Sequence, residues 1–139
     1  MSDAVDRAVL AERVATVTRH LDRVADRLPT AASQLRPMDD ATDAVILHLW
    51  QAFQITIDVA VSHCVTLGLG APTTYGDAFR RLGDAGVIDR QLAARLGRAA
   101  GFRNLIVHAY ADLDLEHVHV IAKQGPRDLM AFFAALTRR

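Results

Sequence analysis

Residues 42–67, TDAVILHLWQAFQITIDVAVSHCVTL, are the most apolar stretch of the sequence and decide its fold class. Apolar side chains recur here at helical spacing, but they leave almost no polar stripe. A helix that is apolar all round has to be covered on more than one side. The stretch therefore predicts the central helix of an all-α protein. Its apolar members include Val45, Ile46, Leu47, Leu49, Trp50, Phe53, Ile55, Ile57, Val59, Val61 and Val65.

The chain is too short to cover this helix completely with its other helices. Its 139 residues fit one domain, predicted to span 1–139, with a single hydrophobic core. A second copy of the chain is the natural cover for the remaining apolar surface. The sequence therefore predicts an up-and-down bundle of four to five helices that forms a homodimer.

Further helices are predicted on both sides of the central one. A first helix over 3–28 has apolar residues at helical spacing and a charged opposite face. Glycines and a proline end the central helix, and a short helix over 77–85 follows them. A fourth helix begins after Asp89, which is predicted to be its N-cap.

The C-terminal region is ambiguous by pattern alone. Residues 113–121 are β-branched enough for a strand, but no second strand is predicted to pair with them, so a helix is expected. Gly125-Pro126 is expected to interrupt this region, because proline removes a helical N–H group. A separate last helix is then predicted over 128–136.

Composition favours a globular protein that does not bind nucleic acid over its whole surface. Apolar residues make up 51% of the chain and charged residues 23%. Sixteen basic residues balance sixteen acidic ones, so any RNA contact has to be a local site. The single cysteine, Cys64, excludes a disulfide framework and a cysteine-based zinc site, and it is expected to be a buried thiol.

Two observations predict a soluble, cytoplasmic protein without membrane attachment. The first fifteen residues, MSDAVDRAVLAERVA, carry charge where a signal peptide needs an apolar core. The longest apolar run, 55–69, contains Asp58 and His63 and is shorter than a membrane span.

The residues best suited to chemistry lie near the end of the fourth helix, in RNLIVHAY over 103–110. Arg103 and His108 are five residues apart, which places them about 140° apart around a helix. One chain therefore does not direct both side chains at one point, whereas Asn104 and His108 share a face. Two copies of this helix across a dimer axis would bring two Arg–His sets into one cleft.

An arginine and a histidine together suit metal-free cleavage of RNA. An imidazole with a near-neutral pKa can take a proton from a ribose 2′-hydroxyl or give one to the leaving oxygen. A guanidinium can hold the phosphate as negative charge builds on it. The plainer alternative is that Arg103 and His108 only interact with the negative end of the helix dipole. Spacing alone favours that alternative.

Asp58 is a candidate supporting residue. It falls in the most apolar helix, where an unpaired carboxylate would be costly. It is predicted to face the cleft and to orient His108 or pair with Arg103. The alternatives are a structural pair with another arginine, or exposure at a gap in the dimer interface.

The other histidines are not expected to carry the chemistry. His63 is expected to be a core histidine with its hydrogen bonds satisfied. His117 and His119 alternate in a way that could suit a metal pair, but a solvated segment is the preferred interpretation. No spacing resembles a site with three metal ligands, so neither a metal nor a cofactor is predicted.

Several separated motifs between 47 and 136 resemble the HepT family of HEPN-domain toxins. They occur in the family's order and cover about two-thirds of the chain, while the first helix agrees only in pattern. The most specific motif is Arg-x4-His-x-Tyr within GFRNLIVHAY. The matching residues are Ile57, Asp58, His63, Pro72, residues 75–82, Arg103, His108 and Tyr110.

The resemblance implies a dimeric, metal-independent endoribonuclease whose partner is a nucleotidyltransferase antitoxin of the MntA type. By this resemblance Arg103 and His108 are catalytic and act on RNA, and Asn104 helps to orient the histidine or the phosphate. Tyr110 would receive AMP groups from the partner, which silences the toxin. Phosphate and adenine at Tyr110 would crowd the cleft and pair with Arg103.

Two functions remain open from the sequence. One is a ribonuclease toxin that leaves a cyclic phosphate. The other is a non-catalytic HEPN module that docks a nucleotidyltransferase and accepts AMP on Tyr110. No member of the Arg, polar, His and Tyr signature is missing, which favours the enzyme. A purely structural helical dimer is a more remote third alternative.

Overall fold

Five helices make up the bundle in the computed structural model, which describes the backbone of residues 3–138 and the side chains of 7–138. Residues 1, 2 and 139 of the predicted domain lie outside the described range. No strand occurs within 3–138, so the all-α prediction is confirmed. The helices are α1 (Asp3–Arg27), α2 (Asp40–Thr66), α3 (Tyr75–Asp84), α4 (Arg90–Ala109) and α5 (Leu115–Thr137), with 3₁₀ turns at Ala32–Gln34 and Tyr110–Asp112.

The apolar helix α2 is the centre of the bundle, as predicted. It contacts each of the four other helices. It is also long and apolar enough to cross a membrane, but half of its most apolar window is buried inside the bundle. Core helices of bundles share that composition, because they are covered on several sides. Cys64 is fully buried on α2, which confirms the expected buried thiol.

The predicted helix bounds agree with the structure to within two residues for the first three helices and for the start of the fourth. Asp89 caps α4 as predicted, and its carboxylate accepts the Leu92 N–H at 3.2 Å. The short helix α3 begins earlier than expected because Thr74 is its N-cap, with the hydroxyl accepting the Asp77 N–H at 3.0 Å. Buried Asp77 in turn binds Arg81, whose Nη1 donates to the Leu69 carbonyl at 2.7 Å. These bonds hold the loop between α2 and α3, and with it the start of α3.

The predicted break at Gly125-Pro126, and with it the separate helix over 128–136, was wrong. Helix α5 runs through Pro126 without interruption. A proline inside a helix costs about 3 kcal/mol, whereas burying one large apolar side chain contributes about 1.5–3 kcal/mol. Helix α5 buries several such side chains on both sides of the proline, so packing outweighs the lost hydrogen bond. They are Val118, Leu129, Phe132, Phe133 and Leu136.

Candidate functional site

Arg103 is held by three neighbours from three helices. Its Nε donates to Gln54 Oε1 at 2.6 Å, and its Nη1 donates to Asn104 Oδ1 at 3.2 Å. The guanidinium carbon lies 5.2 Å from the centre of the Tyr75 ring, which is the geometry of a cation–π contact. Helices α2, α3 and α4 therefore fix the direction of this half-buried arginine.

Gln54 was missed by the sequence reasoning. It is the acceptor for Arg103, and its own Nε2 donates to Asp58 Oδ1 at 2.9 Å. The i, i+4 spacing of Gln54 and Asp58 is a signal for a pair on one helix face. Nothing in the sequence connects that pair to Arg103, which lies 49 residues further along the chain.

Asp58 is exposed although it belongs to the most apolar helix. Within 7–138 its carboxylate accepts a hydrogen bond from Gln54 and makes none directly with Arg103 or His108, so the expected role of Asp58 in orienting His108 or pairing with Arg103 stays a prediction. Instead Asp58 reaches Arg103 indirectly, through the side-chain amide of Gln54. The alternative of exposure at a gap in the dimer interface also stays open.

His108 lies in the last turn of α4 with its imidazole exposed. No hydrogen bond joins it to Arg103 or Asn104 among the described residues, although Asn104 is four residues before it. The amide oxygen of Asn104 accepts from Arg103 instead. A single copy of the chain therefore presents on α4 an oriented guanidinium and an exposed imidazole, with no hydrogen bond between them among the described side chains.

Tyr110 begins the 3₁₀ turn after α4, and its hydroxyl donates to Asp43 Oδ1 at 2.6 Å. The residue is 45% exposed. Partial burial, the hydrogen bond and the negative charge of Asp43 together raise the pKa of Tyr110 to about 12. Asp43 lies 67 residues away in the first turn of α2, and no sequence signal connects the two.

Exposed apolar side chains lie beside these residues. On α2, Leu47 and Val65 are 47% and 61% exposed. At about 100° per residue they lie within about 20° of Gln54 and Asp58 around the helix axis. On α4, Leu105 is 50% exposed and lies three residues before His108, which puts both on one face.

The other histidines differ from one another in their surroundings. His63 is half-buried, with its Nδ1 3.1 Å from the Val59 carbonyl, which agrees with a satisfied structural histidine. The solvated-segment prediction is wrong for His119, which is buried with its Nε2 2.9 Å from the Pro29 carbonyl. His117 is exposed and packs its ring edge against Phe102, with 5.5 Å between the ring centres.

Comparison with known proteins gives concordant results at the level of sequence and fold. The family model described as "Ribonuclease HepT-like" matches residues 17–136. The chain is 30% identical over 114 residues to the mRNA nuclease HepT of Shewanella oneidensis, an alignment covering 81% of this chain and 85% of the relative.

Two solved structures are similar over nearly the whole chain. One is a tri-AMPylated Shewanella oneidensis HEPN toxin in complex with MNT antitoxin, with a TM-score of 0.84, 26% identity and complete coverage of both chains. The other is a toxin–antitoxin complex with AMP-PNP, with a TM-score of 0.85, 25% identity and coverage of 95% of this chain and 99% of that one. The chain belongs to the ribonuclease HepT-like family and has the fold of HEPN toxins.

Proposed function

We propose that this chain is an endoribonuclease toxin that cleaves RNA without a metal and is silenced when a nucleotidyltransferase adds AMP to Tyr110. The family match and the relative named as an mRNA nuclease support the activity. The similar toxin that is AMPylated and bound to an MNT antitoxin supports the regulation. The observation that carries the proposal is that Arg103 has a guanidinium held in one direction by Gln54 and that His108, on the same helix, is exposed.

The proposed cleavage divides the work between these two residues. The imidazole of His108 takes the proton of a ribose 2′-hydroxyl, and the freed oxygen attacks the adjacent phosphorus. The bond from phosphorus to the 5′-oxygen breaks, and that oxygen receives a proton from a second imidazolium or from water. Arg103 stabilises the charge on the non-bridging oxygens. The products are a cyclic phosphate and a 5′-hydroxyl end.

Asn104, Gln54 and Asp58 serve in this proposal to orient Arg103. Asn104 accepts a hydrogen bond from the guanidinium. It is therefore proposed to orient Arg103, which binds the phosphate, rather than His108. Asp58 accepts one amide N–H of Gln54, which turns the amide oxygen toward Arg103. An arginine that already has this orientation loses less side-chain entropy when it stabilises the charge that builds on the phosphate in the transition state.

A second copy of the chain completes the cleft in this proposal. Exposed Leu47 and Val65 lie on the same face of α2 as Asp58, and exposed Leu105 lies on the same face of α4 as His108. A contact between two copies that buries these apolar side chains would bring Asp58 and His108 of one copy close to those of the other. The second imidazole would then act as the acid that protonates the leaving oxygen.

The proposed antitoxin partner is a nucleotidyltransferase of the MNT class, and the proposed place of action is the cytoplasm. Tyr110 is 45% exposed, which leaves part of the residue accessible to a partner. It lies two residues after His108, so a bulky, negatively charged AMP there would obstruct RNA and offer a phosphate to Arg103.

The proposal is tested with Arg103→Ala and His108→Ala. Expression of the wild-type chain alone is expected to arrest growth, and each variant is expected to relieve the arrest. Purified wild-type protein is expected to cut RNA in the presence of EDTA, with a loss of at least about 100-fold in either variant.

Arg98→Ala is the matched control, because Arg98 is an exposed arginine on the same helix. It is expected to remain toxic. If both active-site variants were as toxic as the control, the assignment of the two residues would be wrong. Wild-type protein that is modified on Tyr110 but never cuts RNA would support the non-catalytic module instead.

A further inference from the structure

The hydroxyl of Tyr110 is already bound to a carboxylate before any partner arrives. Its 2.6 Å distance to Asp43 Oδ1 is in the range of a charge-assisted O–H···O⁻ hydrogen bond. The bond joins the 3₁₀ turn after α4 to the first turn of α2, and the tyrosine remains 45% exposed. The one phenol proposed to receive AMP thus has a proton acceptor in place and belongs to a residue that is accessible from solvent.

Transfer of AMP to a phenol requires that the hydroxyl lose its proton. Two routes exist: the phenol ionises first, or a base takes the proton while the new bond forms. Partial burial, the hydrogen bond to Asp43 and the charge of Asp43 raise the pKa of Tyr110 to about 12, so very little phenolate is present near neutral pH. The same carboxylate that disfavours prior ionisation is positioned for the second route.

We propose that Asp43 is the general base for AMP transfer to Tyr110. This inference rests on the proposed function, and it adds a catalytic residue that belongs to the toxin chain rather than to its partner. The Tyr110 oxygen forms a bond to the α-phosphorus of ATP. The bond between that phosphorus and the oxygen bridging to the β-phosphate breaks, pyrophosphate leaves, and the phenolic proton goes to Asp43 Oδ1.

The test follows AMP addition by intact mass, with the chain purified together with its MNT-class nucleotidyltransferase and supplied with ATP. Asp43→Asn keeps the shape of the side chain but removes its basicity. We expect modification to be at least about 100-fold slower in this variant at pH 7. Asp43→Glu is expected to restore part of the rate, because it returns a carboxylate.

The dependence of the AMP-transfer rate on pH distinguishes a general base from a residue that only orients the Tyr110 ring or binds the partner. With Asp43 as base, the wild-type rate is expected to be nearly flat from about pH 6 to pH 9, where a carboxylate is ionised. Asp43→Asn has to rely on prior ionisation of the phenol, so its rate is expected to rise about tenfold per pH unit. Weakened docking would lower the rate without introducing that slope.

Asp40→Asn is the matched control, since it removes an equal charge from the same first turn of α2. It is expected to be modified at the wild-type rate. An Asp43→Asn protein modified at the wild-type rate with a flat profile would overturn the role of Asp43 and leave the proposed function intact. Wild-type protein that the active partner never modifies on Tyr110 would instead contradict the proposed regulation itself.

Discussion

At the scale of single residues, the candidate site depends on neighbouring side chains that fix the direction of Arg103. Arg103 has a fixed direction because Gln54 accepts its Nε–H and Tyr75 faces its guanidinium. A free arginine would sample many rotamers, and ordering it would offset part of the stabilisation that its guanidinium gives to the negative charge of the transition state. The neighbours of Arg103 are therefore expected to affect cleavage more than stability.

Gln54→Ala is expected to lower kcat for RNA cleavage by about 10- to 100-fold, because a hydrogen bond to a charged group contributes about 1.5–3 kcal/mol. The KM for RNA and the free energy of unfolding are expected to change little. Steady-state cleavage of a short RNA and urea unfolding measure these quantities. Gln51→Ala, one turn earlier on α2, is the control, and equal losses in the two variants would contradict a positioning role for Gln54.

At the scale of elements, α5 shows how packing prevails over local sequence signals. The helix continues through Pro126, and its neighbour Gly125 is buried where α5 crosses α2. A Cβ atom added to Gly125 would lie 3.1 Å from Cζ of Phe53, closer than most side-chain contacts in proteins. The absence of a side chain at this position lets α5 lie close to the central helix.

Gly125→Val is expected to lower the free energy of unfolding by about 1–3 kcal/mol, because the added side chain overpacks against Phe53. Gly101→Val is the matched control on α4, where an added Cβ would meet no atom within 4 Å. That variant is expected to be neutral or slightly stabilising, since valine favours a helix more than glycine does. Urea unfolding compares the two, and equal effects would mean that the contact with Phe53 is unimportant.

At the scale of the whole molecule, one copy of the chain leaves apolar surface beside its chemistry uncovered. The exposed side chains of Leu47, Val65 and Leu105 lie on the faces of α2 and α4 that also present Asp58 and His108. The proposed dimer would cover this surface and supply a second imidazole. Activity is then expected to depend on association.

Leu105→Asp is expected to give a monomer in sedimentation or light scattering, because a charge at an apolar contact is costly to bury. RNA cleavage is expected to fall with the loss of the dimer, although Arg103 and His108 are unchanged. Val9→Asp, at a similarly exposed position of α1, is the control and is expected to remain dimeric and active. A monomeric Leu105→Asp protein with full activity would show that one copy suffices.

The sequence by itself determined the positions of the first four helices, the central position of α2 and the family signature. These follow from local patterns, because helical periodicity, caps and a short motif are readable within a few residues. Only the tertiary structure decided that Gln54 holds Arg103, that Asp43 binds Tyr110 and that α5 passes through Pro126. Those contacts join residues far apart in the chain or depend on summed burial, which no local pattern encodes.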